Sequence, residues 1–193
     1  MLASGDGTNL QAIIDFYSGG DMTAAGMIAL VASNRHTAFA LERARAKSVP
    51  SEVFDDSDDG EALLALLRRY AIEIVALAGY TRRVPSRVVG AFAGRMINVH
   101  PGPLPEFGGA GMYGERVHRA VLASGAKSSG VSVHLVDDEY DHGPVVAQWR
   151  IPVRDGDTPA SLAARVLTAE HVVYPRVVDM VAALNALDFA AEV

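Results

Sequence analysis

Cysteine is absent from the 193 residues, so the chain offers no disulfide framework, no thiolate nucleophile and no cysteine-based zinc site, and a reducing cytoplasm is the natural compartment. Long apolar runs are missing too. The longest stretch without Asp, Glu, Lys or Arg runs from Met22 to Asn34, well short of the ~20 residues of a membrane-spanning helix, and no basic, apolar, small-residue leader opens the chain. Positive charge is in deficit: 17 Lys and Arg against 23 Asp and Glu leave a net charge of −6, the wrong sign for gripping a nucleic-acid backbone through bulk charge. A small anionic ligand is still compatible with that sign, because local backbone amides bind what the net charge repels. His36, His118, His134, His142 and His171 show no HExxH or paired metal spacing and read as surface or core residues. No GxSxG elbow supports a serine hydrolase.

Half of the residues are hydrophobic, enough to fill the core of one compact domain spanning residues 1–193. Short apolar segments alternate with longer helical patterns, the signature of βαβ units and a mostly parallel central sheet with helices on both faces. The strand candidates are Gly26–Ala32, Ser51–Phe54, Ile74–Ala78, Met96–Val99, Val131–Val136 and Val145–Val153. Helices are expected at Asn9–Phe16, Ala38–Lys47, Asp59–Tyr70, Gly114–Ser124 and Thr158–Ala183. Basic residues late in the second, and an acidic start with an Arg68-Arg69 finish in the third, suit the helix dipole. Pro175 inside the last helix predicts a kink or a break. After residue 130 the pattern changes, and VSVHLV with VVAQWRIPV reads as a hairpin. The expected α/β fold is therefore a mixed sheet with an antiparallel C-terminal part. Only Met1, Leu2 and Ala3 precede the first glycine turn, so the first strand is either a stub or begins upstream.

Three constellations carry candidate chemistry. In the first, Ser4-Gly5-Asp6-Gly7-Thr8-Asn9 runs straight into the helical Leu10-Gln11-Ala12-Ile13-Ile14. Two glycines allow a tight turn and a close ligand approach, and free N–H groups at the helix start favour an anion. The spacing is neither GxGxxG nor a Walker loop, and a phosphate site and an ordinary helix-capping glycine turn both fit it. The second, Ile97-Asn98-Val99-His100-Pro101-Gly102-Pro103-Leu104-Pro105, is a strand ending in a rigid loop. Residues two apart on a strand point the same way, so Asn98 and His100 project together at the carboxyl edge, where open α/β sheets bind ligands. Asn supplies an uncharged N–H donor for a carbonyl oxygen, and His delivers a proton near neutral pH. The alternative is an Asn that satisfies loop backbone beside a packed, hydrogen-bonded ring. The third is the acidic loop Asp137-Asp138-Glu139-Tyr140-Asp141-His142-Gly143-Pro144 between the two late strands. A carboxylate from it packed near His100 stabilises an imidazolium and fixes the ring; a solvated hairpin loop is the plain alternative.

SGDGTNLQAIID, ASNRHTAFALERA, IVALAGYTRRV, GRMINVHPGPLP, SVHLVDDEYDHGPVVAQ and AEHVVYP occur in that order, and together they closely resemble the phosphoribosylglycinamide formyltransferases, folate-dependent enzymes of purine synthesis. The resemblance covers Leu2 to about Met180. It implies a Rossmann-like formyltransferase fold and transfer of the formyl group of 10-formyltetrahydrofolate to the amine of glycinamide ribonucleotide. The expected partners are those two small molecules; the charge and hydropathy noted above argue against a nucleic acid or a membrane, the histidine spacing against a metal, and the expected enzyme is a cytoplasmic monomer or homodimer. Asn98, His100 and Asp141 match the family's catalytic triad. Gly7, Thr8 and Asn9 match the loop that holds the ribose phosphate, and Glu170 the carboxylate that accepts hydrogen bonds from the ribose hydroxyls. Thr81, Arg82, Arg83, Val84 and Asn98, with Asp137, Asp138, Glu139, Tyr140 and Asp141, match the walls of the folate pocket. The N-terminal half is thus expected to bind the ribonucleotide, and the C-terminal half to bind folate and carry the chemistry.

Three features depart from the usual pattern of that family. The link after His100 is the longer, glycine-rich Glu106-Phe107-Gly108-Gly109-Ala110-Gly111-Met112-Tyr113-Gly114, the pocket segment reads Thr81-Arg82-Arg83 in place of hydrophobic-Arg-hydrophobic, and the first strand is short. Competing readings are a formyltetrahydrofolate hydrolase, whose relatives carry an additional N-terminal domain, and methionyl-tRNA formyltransferase, which needs a basic RNA-binding domain. A non-catalytic folate or nucleotide binding module of the same fold is the third.

Overall fold

The computed structural model describes residues 1–19, 25–55, 57 and 59–191; positions 22–24 of the uncharged Met22–Asn34 stretch lie outside the described residues. Twelve elements follow in chain order: α1 (Thr8–Ser18), β1 (Val31–Ser33), α2 (Phe39–Ala46), β2 (Ser51–Val53), α3 (Glu61–Arg69), β3 (Val75–Leu77), α4 (Ser86–Ala91), β4 (Met96–His100), α5 (Glu115–Ala123), β5 (Ser128–Leu135), β6 (Val145–Pro152) and α6 (Pro159–Ala191). Strands β1 and β2 pair in parallel, as do β3 and β4, while β4–β5 and β5–β6 are antiparallel. Leu2 joins the two groups by bridging Ala32 on one side and Leu77 on the other. Its N–H donates to Ala76 O at 2.9 Å and its carbonyl accepts from Ala78 N at 2.8 Å. Residues 1–3 thus hold the central place of the sheet as a stub, and the expected mixed α/β fold is the one observed.

Alternation along β3 and β4 sorts the core. Val75, Leu77 and Met96 pack with Leu63 and Leu67 of α3, Val88 of α4 and Phe92 just after it, whereas Ala76, Ala78, Ile97 and Val99 pack with Ile13 of α1 and Tyr174, Val177 and Val178 of α6. Both faces of the sheet are covered, as parallel strands require. On the Met96 face, the residues two and four further on are Asn98 and His100, so polar side chains continue that face where it leaves the α3–α4 core.

Four expectations need correction. Strand β1 is three residues rather than the seven of Gly26–Ala32, because a ladder reaches only as far as its partners: Val31 pairs with Ser51, just past Pro50, and Leu2 supplies one bridge on the other side. Strand β5 begins three residues early, extended by pairing with β6 from Ser128 to Pro152. Helix α4 is unforeseen, too short at six residues for its periodicity to register. Pro175 does not break α6, which runs unbroken from Pro159 to Ala191. The missing backbone bond is outweighed by burial of Tyr174, Val177 and Val178, and Tyr174 Oη donates to Leu77 O at 2.7 Å.

Candidate active site

The antiparallel ladder between β4 and β5 sets Asn98 opposite His134 and His100 opposite Ser132. The register translates directly into side-chain contacts, since directly opposed residues lie on one face. Asn98 Nδ2 lies 3.1 Å from His134 Nε2, and His134 Nδ1 lies 2.8 Å from the Leu135 carbonyl. A carbonyl accepts only, so Nδ1 carries the His134 proton and Nε2 accepts from the Asn98 amide. That bond turns the amide with its N–H₂ group toward His134 and leaves the second N–H of Asn98 for a ligand.

His100 is buried and engaged at both nitrogens: Nδ1 lies 3.3 Å from Asp141 Oδ2, and Nε2 lies 2.8 Å from the Phe107 carbonyl. Both partners are acceptors, so both bonds are complete only when each nitrogen bears a proton. Asp141 sits at positive φ (54°), receives the Gly109 N–H at 3.1 Å on Oδ2, and places Oδ1 3.5 Å from His134 Nε2. Burial pushes its carboxyl up, but the contacts with His100 and His134, the His100 charge and the Gly109 N–H together outweigh burial and hold it well below the usual carboxylate range. Asp141 is therefore a carboxylate whose donated hydrogen bonds come from His100 and the Gly109 N–H.

These groups open onto a cavity of about 830 Å³, within the range typical of small-molecule sites. Its walls include Thr81, Arg82, Arg83, Val84, Asp137, Glu139 and Tyr140, then Asn98, His100 and Asp141, and also Asn9 and Glu170. Asn9 Nδ2 donates to Glu170 Oε2 at 2.5 Å, both residues are buried, and Asn9 Oδ1 has no partner. Burial pushes the Glu170 carboxyl up, and the Asn9 bond and the His100 charge offset this only in part. Gly7, at φ 69°, caps the start of α1, where a Cβ would come within 2.8 Å of Ala40 Cβ, so glycine is required.

Asn98, His100 and Asp141 thus converge, and Asn9 meets Glu170 across 161 positions of sequence. Gly7 and Thr8 shape the turn without lining the cavity, and Asp138 faces Arg83 at 3.7 Å instead of the cavity. His134 and His118, read from the sequence as surface or core residues, are both buried and also line the cavity. For His118, burial and the neighbouring His100 charge push the pKa down, against a smaller pull from Glu115. The signal for His134 is the polar pair Ser132 and His134 alternating with Val131, Val133 and Leu135, meaningful only once β5 is known to face β4. Met112 and Tyr113 of the glycine-rich segment also line the cavity. Among the described residues no group of three or more His, Asp or Glu side chains is arranged to hold a metal, and no helix is long and apolar enough to cross a membrane.

Residues 1–178 match the family described as formyl transferase. The chain is 40% identical over 188 residues to the chloroplastic phosphoribosylglycinamide formyltransferase of Arabidopsis thaliana, covering 94% of this chain and 64% of that protein. Against the phosphoribosylglycinamide formyltransferase of Escherichia coli (strain K12) the identity is 40%, covering 93% of this chain and 84% of the relative. The chain therefore spans a little under two thirds of the chloroplast protein and most of the bacterial one. Glycinamide ribonucleotide transformylase 1 from Symbiobacterium toebii superposes with a TM-score of 0.85 at 39% identity, over 94% of this chain and 85% of that one.

Proposed function

This chain belongs to the formyl transferase family, and from that premise we propose that it transfers the formyl group of 10-formyltetrahydrofolate to the amine of glycinamide ribonucleotide, in the cytoplasm, as a step of purine synthesis. The observation that carries this reading is that one cavity is lined by the Asn98–His134 and His100–Asp141 pairs and by the Asn9–Glu170 pair. In this reading one domain divides its labour. Gly7, Thr8 and Asn9 hold the phosphate end of the ribonucleotide with Glu170 on the ribose hydroxyls, and residues 81–84 with 137–141 hold folate.

Attack of the amine on the formyl carbon forms a tetrahedral centre whose oxygen gains negative charge. The free N–H of Asn98 is a donor for it, of a kind typically worth roughly 3–4 kcal/mol in a water-excluded site, and the His100 ring, held by Asp141 and the Phe107 carbonyl, stands beside it in the same cavity. Asp141 keeps the imidazolium oriented. A proton leaves the attacking nitrogen and one reaches the departing folate nitrogen, with His100 within the site as acid and base. Holding both substrates in one cavity supplies much of the remaining acceleration.

The experiment is direct. Purified protein is mixed with glycinamide ribonucleotide and 10-formyltetrahydrofolate, and release of the deformylated folate is followed by absorbance, with and without the ribonucleotide. Ribonucleotide-dependent release supports the transferase; equal release without it identifies a hydrolase, and none from a folded sample a binding module.

A further inference from the structure

Three strands carry one row of polar side chains: His100 on β4 is opposite Ser132 on β5, and Ser132 is opposite Gln148 on β6. Only His100 has a part in the chemistry described above, yet the other two are the better connected. The fully buried Ser132 Oγ donates to Gly102 O at 2.8 Å and accepts from Leu104 N at 3.2 Å and Gln148 Nε2 at 2.9 Å. One donor and two acceptor sites exhaust a hydroxyl. Gln148 Nε2 spends its second N–H on Leu104 O at 3.1 Å, Gln148 Oε1 accepts from Arg150 Nε at 3.2 Å, and Arg150 reaches Glu106 Oε1 at 2.8 Å. The network therefore grips the segment after His100 at residues 102, 104 and 106.

That segment curls back beneath the imidazole. Phe107 N donates to Pro103 O at 3.0 Å, closing the turn that aims the Phe107 carbonyl at His100 Nε2. At Gly108 a Cβ would overlap Leu104 Cδ2 and come within 3.0 Å of Asp141 Cβ, so the turn is packed against the pinned residue on one side and the carboxylate on the other. We infer that Ser132 and Gln148 are positioning residues for His100: by fixing residues 102–106 they set the Phe107 carbonyl that holds the Nε2–H and keeps the ring square to Asp141. A satisfied buried network of this kind holds geometry tightly, and displacement of one member propagates to the rest. This role deepens the formyl-transfer reading and rests on it for its kinetic readout.

Two variants test it, Ser132→Ala and Gln148→Met, the second keeping side-chain length at a half-buried position so that a folded sample is assured should the first not fold. The expected result is a fall in kcat of about tenfold or more, the scale of a sub-ångström misplacement of a catalytic group, with both KM values within about twofold. In ¹⁵N-edited spectra the His100 Nε2–H signal, visible in the parent because Phe107 shields it, broadens by exchange. Unchanged kcat and an intact Nε2–H signal in a folded variant overturn the inference, whatever happens to the melting temperature. If the parent shows no ribonucleotide-dependent transfer but the variants lose the Nε2–H signal, the formyl-transfer reading falls and the positioning role stands.

Discussion

Along the cavity wall His100 and His134 have partners on both ring nitrogens, whereas at the Asn9–Glu170 pair a buried amide oxygen has none and a carboxyl is held in surroundings that disfavour its charge. The first group hangs on an antiparallel ladder, where cross-strand register places side chains against one another before any ligand arrives. The second sits where a helix start meets α6, and in the proposed reading the ribose hydroxyls supply the donor that Asn9 Oδ1 lacks. Rigid geometry suits a step that gains from preorganised donors, and unsatisfied groups suit recognition, because a ligand that completes them is rewarded.

The largest expected effect breaks the rigid group. Asn98→Ala and His100→Ala each cut kcat by about 10²–10³-fold while circular dichroism and melting remain near those of the parent; near-normal turnover in either variant would sink the assignment. Next, Glu170→Ala raises the KM for the ribonucleotide by about tenfold or more, as expected for an unpaired pair of hydroxyls, and leaves the KM for folate unchanged. A shift in folate KM instead would reverse the two binding assignments.

Melting curves against pH sharpen the contrast, because the two carboxylates are displaced in opposite directions. Asp141 is held below its ordinary 3.8, so its contribution to stability is present above that value and is lost as pH falls through the lower folded-state pKa. Asp141→Asn is accordingly less stable than the parent at neutral pH by at least about 3 °C, since a tenfold tighter hold on the ionised form is worth about 1.4 kcal/mol, and the gap closes in acid. Glu170 is held above its ordinary 4.5; its relative stabilisation is complete below 4.5 and is lost as pH rises through the higher folded-state pKa. Glu170→Gln is therefore more stable than the parent at pH 7, by a few degrees at most, and loses that advantage on acidification. Equal and parallel curves for the two variants would remove the contrast. The smallest effect is expected at Arg83, an exposed partner of Asp138 at 3.7 Å: Arg83→Ala changes the melting temperature by about 2 °C or less, as for other surface ion pairs.

Much of this is readable from residues alone. The alternation of β4 announces that Asn98 and His100 share a face, and the acidic loop after VSVHLV announces a carboxylate near them. The Asn9–Glu170 contact is reachable only through family resemblance, since nothing in the spacing of residues 161 apart specifies a meeting. His134, Ser132 and Gln148 escape for a related reason: their roles depend on which strand lies beside which, and at what register, and a one-residue slip would turn all three away. Pro175 brings no break because the rule against proline in a helix is local, while the persistence of α6 is decided by tertiary burial.

By itself, the sequence determined the local terms: a glycine where the turn before α1 admits no Cβ, apolar alternation that splits β3 and β4 between two cores, and a polar pair at the end of β4. Only the tertiary structure decided that the Phe107 carbonyl and the Asp141 carboxylate close on the two nitrogens of His100, and that α1 and α6 bring an amide and a carboxyl into a shared buried bond. The division follows from range: propensity and alternation act between residues near in the chain, while hydrogen-bond satisfaction and desolvation depend on every group that packing brings within a few ångströms.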